Sequence, residues 1–302
     1  MFSFLPAPVK GITIVLLVTL NTIFWLPILV FGAVLKLLIP LPAIKKWVSV
    51  ALISCATNWV TLNNFFMWLF LKVEWVVTGS VDLNKNNWYF VNCNHQSWSD
   101  IPVVQKILNR KVPMLKFFLK KELIWVPFLG ICWWALDFPF MKRSSPAQIK
   151  KNPSLAGKDL ATTQKACEKF KSTPVSVFNF IEGTRFTPEK QAQQDSPFVN
   201  LLKPRAGGTA FVLGSMGEQM HTMLDVSIIY PDAPDNGPWS LVCGKIYKVV
   251  VHLDEIEIPR DFLGKDYASD PEFKTNFQAW LNELWVNKDE LISGLKKKYE
   301  QS

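Results

Sequence analysis

The stretch Asn94-His95-Gln96-Ser97-Trp98-Ser99-Asp100 holds the residues best suited to chemistry. A short apolar run delivers His95 to a turn, and Asp100 follows at the expected start of a helix, as its N-cap. At this spacing the carboxylate can fold back onto the imidazole, which gives a general base with one ring nitrogen free for substrate. The simpler alternative is a capping carboxylate near a buried histidine. Neither Ser97 nor Ser99 has the small-residue elbow that exposes a catalytic serine.

A second polar turn ends another apolar run, in Phe180-Ile181-Glu182-Gly183-Thr184-Arg185. Gly183 permits a tight turn, and Arg185 offers a planar guanidinium suited to phosphate. Thr184 adds a hydroxyl, and Glu182 is expected to hold Arg185 or a neighbouring basic group in place. The alternative is an ordinary turn with a surface ion pair.

Basic residues accumulate between these two turns and after them. Residues 101–121 include six basic side chains and no acidic one, and a basic, glycine-containing loop follows at 201–208. Such a distribution favours an electropositive wall for a phosphate-bearing ligand. A solvated basic face is the alternative.

Composition narrows the class of protein. The chain has 302 residues, 49% of them apolar, and a net charge of +8, so it has enough apolar material for a core and is not a disordered polymer. Five scattered Cys exclude a disulfide scaffold, and three isolated His with these Cys predict no metal site. Heavy Trp and Phe usage with a basic excess points to a membrane surface or an anionic substrate. No recognised nucleic-acid module is present, so nucleic acid is not expected as a partner.

Two uncharged runs, 11–35 and 47–71, are each long enough to cross a bilayer, which needs about 20 residues. We therefore predict membrane-anchoring helices over residues 1–71, with a pair of buried core helices as the alternative. The link between the runs carries Lys36, Lys45 and Lys46, which conflicts with the positive-inside rule if both runs cross. Either one run crosses, or both form a hairpin that dips into the inner leaflet.

After residue 71 the pattern is that of an α/β domain, with a mixed sheet and flanking helices over residues 72–302. Asp270-Pro271 predicts the start of a C-terminal helix with an apolar stripe. A further helix is predicted over 154–170. Strands are predicted over 73–78, 88–93, 112–118, 175–181, 224–230 and 245–253.

The two polar turns resemble known motifs. Asn94-His95-x4-Asp100 resembles motif I of the PlsC-type glycerolipid acyltransferases, and the turn that ends in Arg185 resembles their motif III. The stretch 137–143 resembles motif II, which ends in a substrate-binding arginine, here Arg143. Residues 224–231 lie where the apolar, proline-ending motif IV is expected.

Two further stretches resemble one branch of this family. Lys120-Lys121-Glu122-Leu123 with Pro127 and Gly130, and Lys203-Pro204-Arg205, are similar to the branch that contains lysocardiolipin acyltransferases and bacterial YihG-type proteins. The resemblance implies the glycerolipid acyltransferase fold, preceded by a hydrophobic membrane segment.

The resemblance implies transfer of a fatty acyl chain from acyl-CoA or acyl-carrier protein to the sn-2 hydroxyl of 1-acyl-glycerol-3-phosphate, giving phosphatidate. A lysophospholipid acyltransferase acting on lysophosphatidylglycerol or lysocardiolipin is the alternative. His95 would take the proton from the hydroxyl, and Asp100 would orient His95. No cofactor beyond the acyl donor is implied. The implied residues for binding the acceptor phosphate are Arg185, Glu182, Gly183, Thr184, Arg143, Lys120 and Lys121.

The same resemblance implies where the protein acts. The bilayer and the lysophospholipid acceptor are its expected partners, because acceptor and product both reside in the membrane. The expected location is the inner, cytoplasmic membrane of the cell, with the catalytic domain facing the cytoplasm. A lipid hydrolase and a catalytically silent membrane scaffold are the remaining alternatives.

Overall fold

The computed structural model describes residues 1–141, 167–168, 170, 173–231, 233, 236–265, 267 and 270–300, with only the backbone described at Lys120 and Met141. The strands in chain order are β1 Glu74–Thr78, β2 Tyr89–Cys93, β3 Leu115–Phe117, β4 Leu119–Lys120, β5 Phe140–Met141, β6 Ser176–Asn179, β7 Thr222–Ile229 and β8 Lys248–Glu257. The α-helices are α1 Ala7–Leu38, α2 Pro42–Phe70, α3 Asp100–Leu108, α4 Leu129–Ala135, α5 Pro188–Gln193, α6 Ala206–Met216, α7 Pro238–Val242 and α8 Pro271–Tyr299. Short 3-10 turns cover Lys121–Trp125, Gly217–Gln219 and Arg260–Phe262.

Six of the described strands form one mixed sheet, in the order β1-β8-β7-β2-β6-β3. Neighbouring strands are parallel, except that β7 and β8 are antiparallel. Consequently β2, β3, β6 and β7 all end at the same edge of the sheet. In open α/β sheets the carboxyl ends of parallel strands are where ligands bind. The α/β class and the mixed sheet predicted from the sequence are confirmed.

Helices cover both faces of this sheet. On one face, Phe90 and Met223 pack with Leu213 of α6 and Phe277 of α8. On the other face, apolar residues of β2 and β7 pack with Ile14 of α1 and with side chains of α2 and α3. Because both faces are covered, β2 and β7 are buried along their whole length, and their sequences show apolar runs rather than strict alternation.

The C-terminal helix begins where the sequence predicted. The Asp270 side chain accepts a hydrogen bond of 3.0 Å from the Phe273 amide, and Pro271 occupies the first turn. Phe277, Leu281 and other members of the predicted stripe pack in the core. The helix predicted over 154–170 lies almost wholly outside the described residues.

Helices α1 and α2 form an antiparallel hairpin that lies along the sheet domain. Near its middle, Asn21 donates to the Trp59 carbonyl at 3.0 Å and to the Asn63 side chain at 2.8 Å. Near its tip, Leu29 and Ala33 pack in one cluster with α4. Within the described residues, α1 is the helix long and apolar enough to cross a membrane, on length and composition alone.

Both ends of the hairpin therefore contact the domain. At the open end, Gly11 packs against Cys243 and Trp239. At the tip, Lys36 forms an ion pair with Asp137, which follows α4. The predicted boundary at residue 71 thus separates two segments that share core clusters.

Candidate active site

His95 and Asp100 meet at the edge where the parallel strands end. His95 follows β2 by two residues, and Asp100 is the first residue of α3. His95 Nδ1 lies 2.9 Å from Asp100 Oδ2, and both residues are buried. Asp100 is not the N-cap predicted from the sequence. Ser99 occupies that position, and the Asp100 carboxylate turns back toward the loop instead.

The Asp100 carboxylate is fully occupied by donors. Its Oδ2 accepts from the amides of Gln96 and Ser97, both at 2.8 Å, as well as facing His95. Its Oδ1 accepts from the Tyr230 hydroxyl at 2.7 Å. These donors fix the carboxylate in one orientation, so that the imidazole it binds is fixed as well.

Tyr230 is a site residue that the sequence analysis did not identify. It directly follows β7, inside the stretch assigned to motif IV, but its side chain gave no signal of its own. Burial raises the pKa of Tyr230 well above its ordinary value, and the negative charge of Asp100 adds to that shift. The hydroxyl therefore stays protonated and remains a donor to Asp100.

The pair sets the chemistry of the imidazole. An ionised carboxylate is only an acceptor, so in the neutral imidazole the tautomer that bonds to Asp100 has its proton on Nδ1 and its lone pair on Nε2. Phe180 stacks on the imidazole with ring centroids 3.6 Å apart. Ser97 and Ser99 both donate their hydroxyl protons to the Asn236 carbonyl, so neither hydroxyl is directed to His95. This arrangement suits a general base acting on a hydroxyl that the substrate brings.

Glu182 differs from the expectation that it pairs with Arg185. Its Oε1 accepts from the His95 amide at 2.8 Å, and its Oε2 accepts from the Leu202 amide at 2.9 Å. Glu182 has no exposed surface, so it has no face toward a substrate phosphate. The physical reason is that β6 and β2 are neighbouring parallel strands that end at the same edge of the sheet. Glu182, which follows β6, therefore meets the backbone that follows β2, at His95.

Burial raises the pKa of Glu182 to about 7, although the amide hydrogen bonds from Leu202 and His95 oppose the shift. The positive charge of Lys288 also lowers this pKa, and the negative charge of Asp100 raises it. Glu182 is thus a positioning residue for the His95 backbone rather than a phosphate ligand.

Gly183 forms the tight turn that the sequence predicted. Its φ is +72°, and its amide donates to the Phe180 carbonyl at 2.9 Å. A Cβ at this position would lie 2.9 Å from Cδ of Arg205, so the Arg205 side chain lies directly over the turn. Thr184 accepts a hydrogen bond of 2.8 Å from Lys190 Nζ, which holds its hydroxyl beside a cation.

Arg185 is exposed and lies close to His95. Its guanidinium carbon is 5.0 Å from the centre of the Trp98 ring, and that ring is 6.4 Å from the imidazole. Within the described part of the chain, neither Arg185 nor Arg205 has a carboxylate partner. Two guanidinium groups near the Gly183 turn and Trp98, without a carboxylate partner among these residues, are suited to binding a phosphate. The basic loop at 201–208 was the sequence signal for Arg205.

The remaining predicted phosphate ligands are less well defined. Lys120 ends β4, three residues beyond the end of β3, and therefore lies toward the same edge of the sheet as His95. Lys121 is exposed and begins the 3-10 turn. Arg143 lies outside the described residues.

Other titratable clusters do not compete with this site. Among the described residues there is no group of His, Cys, Asp and Glu arranged to hold a metal ion. His252 is held between Thr78 at 2.8 Å and Asp254 at 3.1 Å on the β1–β8 strand pair.

Comparison with known proteins places this site in a family. The sequence model of the family described as Acyltransferase matches residues 74–223, from β1 into β7. The 1-acyl-sn-glycerol-3-phosphate acyltransferase delta of Bos taurus is 24% identical over 184 residues, which are 58% of this chain and 43% of that protein. The Homo sapiens protein of the same name is 23% identical with the same coverage. The chain thus spans less than half the length of these relatives.

Among solved structures, the 1-acyl-sn-glycerophosphate (LPA) acyltransferase PlsC from Thermotoga maritima is 20% identical. It aligns over 94% of this chain and 98% of its own, with a TM-score of 0.49. The turns that carry His95 and Arg185 both lie within residues 74–223, so the segment that holds the site belongs to the acyltransferase family.

Proposed function

We propose that the chain transfers a fatty acyl group from acyl-CoA or acyl-carrier protein to the sn-2 hydroxyl of 1-acyl-glycerol-3-phosphate, giving phosphatidate. The observation that carries this proposal is the oriented His95–Asp100 pair near Arg185, which has no carboxylate partner among the described residues. The base accounts for activation of a hydroxyl, and the guanidinium accounts for an acceptor that bears a phosphate. The names of the matched relatives agree with that acceptor.

The reaction needs no acyl-enzyme. His95 Nε2 takes the proton of the acceptor hydroxyl as its oxygen attacks the thioester carbonyl. Asp100 stabilises the imidazolium that forms, as a triad carboxylate does. The tetrahedral intermediate expels the thiolate, which recovers the proton from His95, so that ester and free thiol leave together.

Phosphate binding supplies orientation. A guanidinium binds phosphate through two parallel hydrogen bonds, which fixes both the distance and the direction of the bound group. With Arg205 lying over Gly183 and Arg185 two residues further along the same turn, a bound phosphate would direct the acceptor hydroxyl toward His95. Such positioning is worth several kcal/mol of the barrier, up to about 7–11 in favourable cases. Lys120, Lys121 and Arg143 remain proposed contributors.

Membrane attachment through α1 and α2 completes the proposal. The apolar exposed face of the hairpin suits the inner leaflet of the cytoplasmic membrane, with the domain facing the cytoplasm. The ion pair of Lys36 with Asp137 keeps the hairpin tip beside the domain. Lys45 and Lys46 then stay on the cytoplasmic side, which satisfies the positive-inside rule.

An acceptor panel tests the proposed function. Purified full-length chain in detergent would receive labelled acyl-CoA or acyl-carrier protein with lysophosphatidate, lysophosphatidylglycerol, lysocardiolipin, monoacylglycerol or no acceptor. We expect the fastest transfer to lysophosphatidate, and a loss of at least about 10²-fold in the His95→Ala control. Faster transfer to lysophosphatidylglycerol or lysocardiolipin would favour the remodelling alternative. Release of free fatty acid without acceptor would identify a hydrolase and contradict the proposal.

A further inference from the structure

A short apolar segment next to the hairpin exposes large side chains. Residues 121–135, here called the lobe, comprise the 3-10 turn Lys121–Trp125 and helix α4. The exposed fractions of its large apolar residues are 85% for Trp125, 54% for Phe128, 45% for Ile131 and 41% for Trp134. Soluble monomers rarely group so many exposed large apolar side chains, and such groups mark interaction surfaces.

The backbone holds these side chains outward. Phe128 has φ +62° and ψ −51°, and the Leu129 amide donates to the Pro127 carbonyl at 2.7 Å, which makes a γ-turn. This conformation is strained for a residue with a side chain, and strain of this kind is concentrated at functional sites. Gly130 packs tightly behind the turn, since an added Cβ would lie 2.0 Å from the Ile124 carbonyl oxygen. The lobe is therefore a defined projection.

The inner side of the lobe packs on the hairpin. Cys132 and Ala135 of α4 share a buried cluster with Leu29, Ala33 and Leu52 of the hairpin. The adjoining surface of the hairpin tip is apolar as well. Its exposed fractions are 65% at Phe31, 67% at Leu37 and 76% at Trp47. The lobe and the hairpin tip thus share one buried cluster, and the exposed apolar surfaces of both lie next to that cluster.

The chemistry of this surface fits a lipid leaflet. The 14 residues from Leu123 to Leu136 are uncharged, and a run of about 10–14 is too short to span a bilayer but typical of an interfacial segment. Exposed Lys45, Lys46 and Lys121 lie at the ends of the apolar elements, where they match anionic phosphate headgroups. Tryptophan is also enriched at membrane–water interfaces.

We propose that the lobe inserts into the acyl-chain layer of the same leaflet as the hairpin. This placement rests on the membrane attachment proposed above. Because β4 and Lys121 lead directly from the sheet edge into the lobe, its insertion brings the mouth of the active site to the lipid surface. Acceptor lipids then reach His95 without leaving the bilayer.

Quenching by spin-labelled lipids tests the insertion. Full-length chain with Cys55→Ser would carry one added cysteine, labelled with an environment-sensitive fluorophore, in vesicles of phosphatidylglycerol and phosphatidylethanolamine. The positions are Phe128→Cys in the lobe, Phe24→Cys in the hairpin and Val199→Cys as the control. Phe24 and Val199 are 63% and 71% exposed, and Val199 bonds to α8, on the other face of the sheet.

We expect acyl-chain quenchers to reach positions 128 and 24 and to leave position 199 unchanged. Quenching at 24 without quenching at 128 would overturn the lobe proposal and leave the anchoring intact, and it would favour a protein partner for the lobe. Absence of quenching at both 24 and 128 would overturn the membrane attachment itself.

Activity gives a second readout. The double variant Trp125→Ser with Phe128→Ser should lose at least about tenfold in acyl transfer to bilayer-presented lysophosphatidate, because two buried aromatic contacts with lipid are removed. Transfer to a short-chain, water-soluble acceptor should not change. Tyr247→Ser, at a residue 70% exposed, is the matched control. Equal losses on both acceptors would contradict the proposal.

Discussion

At the scale of single residues, the two oxygens of Asp100 have separate tasks. Oδ2 holds His95, and Oδ1 holds the Tyr230 hydroxyl at 2.7 Å. Because this hydroxyl is the described partner of Oδ1, its removal leaves a buried carboxylate oxygen unsatisfied and free to reorient. Tyr230 is therefore expected to affect the rate of proton transfer rather than substrate binding.

We predict that Tyr230→Phe lowers kcat by about 10- to 150-fold and leaves both KM values nearly unchanged, as expected for loss of a hydrogen bond to a charged group worth about 1.5–3 kcal/mol. Steady-state kinetics with both substrates would measure this. Tyr247→Phe, at an exposed tyrosine, is the control. A raised acceptor KM with normal kcat would instead assign Tyr230 to acceptor binding.

The pH dependence of stability tests the position of Glu182. Burial raises the pKa of Glu182 to about 7 from 4.5, so between these values the folded protein holds a proton that the unfolded chain releases. Stability contributed by Glu182 is therefore present below pH 4.5 and lost as pH rises to about 7.

Glu182→Gln removes this titration and also places an amide N–H against a backbone donor at His95 or Leu202. We predict a destabilised variant whose stability deficit relative to the native chain shrinks as pH rises from 5 to 8. Chemical denaturation at several pH values would measure both curves. Parallel curves would show that Glu182 titrates near its ordinary pKa.

Arg185 separates binding from catalysis. Lysine at this position keeps the charge but loses the planar pair of donors. We predict that Arg185→Lys raises the acceptor KM about 10- to 150-fold, since one charge-assisted hydrogen bond is worth about 1.5–3 kcal/mol. The KM for acyl-CoA should change little, and Arg260→Lys, at another exposed arginine, should change neither.

The Glu182 carboxylate accepts hydrogen bonds from backbone amides and forms no ion pair with Arg185. Replacing Arg185 by lysine therefore breaks no ion pair with Glu182, and the melting temperature of Arg185→Lys should equal that of the native chain. A normal acceptor KM with a lowered melting temperature would mean that Arg185 has a structural role only.

Residue types and spacing predicted the His95–Asp100 pair because the two residues lie in one short turn. Tyr230 was not predictable, since it reaches Asp100 only through the pairing of β7 with β2. Glu182 was assigned to Arg185 because a carboxylate beside a basic residue at a turn is usually exposed. Its burial depends on how two strands end side by side.

At the scale of elements, the six main strands were predictable from apolar, β-branched runs between turn residues. Their order was not, because a strand's neighbours are chosen by the tertiary fold. The antiparallel pairing of β7 with β8 in an otherwise parallel sheet has no local sequence signal. The C-terminal helix was predictable from Asp270, Pro271 and its apolar stripe.

The sequence did not predict that Lys288 of α8 is buried. Lys288 donates to both carboxylate oxygens of Asp225, each at 2.9 Å, and to the Val226 carbonyl at 2.8 Å. Lys288 therefore links α8 to β7 through three hydrogen bonds from its ammonium group. Asp225 also accepts from Asn92 of β2, so the same group links the helix to the strand that leads to His95.

We predict that Lys288→Met destabilises the protein by about 3–5 kcal/mol, because it leaves the Asp225 carboxylate buried without its cation. Chemical denaturation would measure the change. Lys297→Met, on the exposed face of the same helix, should alter stability by no more than about 0.5 kcal/mol. Equal stability of the two variants would show that the buried ion pair contributes no net free energy.

At the scale of the whole molecule, the two uncharged runs predicted helices but not their placement. The hairpin packs along the domain at both ends, through Gly11 near α7 and through Lys36 at Asp137. These contacts join residues far apart in the chain and have no local signature. They hold Lys36 of the link at the domain, as we expect if the hairpin dips into one leaflet as proposed.

In the proposed reaction, His95 acts as the base in acyl transfer. The most direct measurement is the rate of labelled acyl transfer from acyl-CoA to lysophosphatidate by purified His95→Ala, with His221→Ala at an exposed histidine as the control. We expect His95→Ala to lose about 10²–10⁴-fold in rate while its melting temperature and membrane association match the native chain. Retention of more than a few per cent of native turnover by His95→Ala would contradict this role of His95.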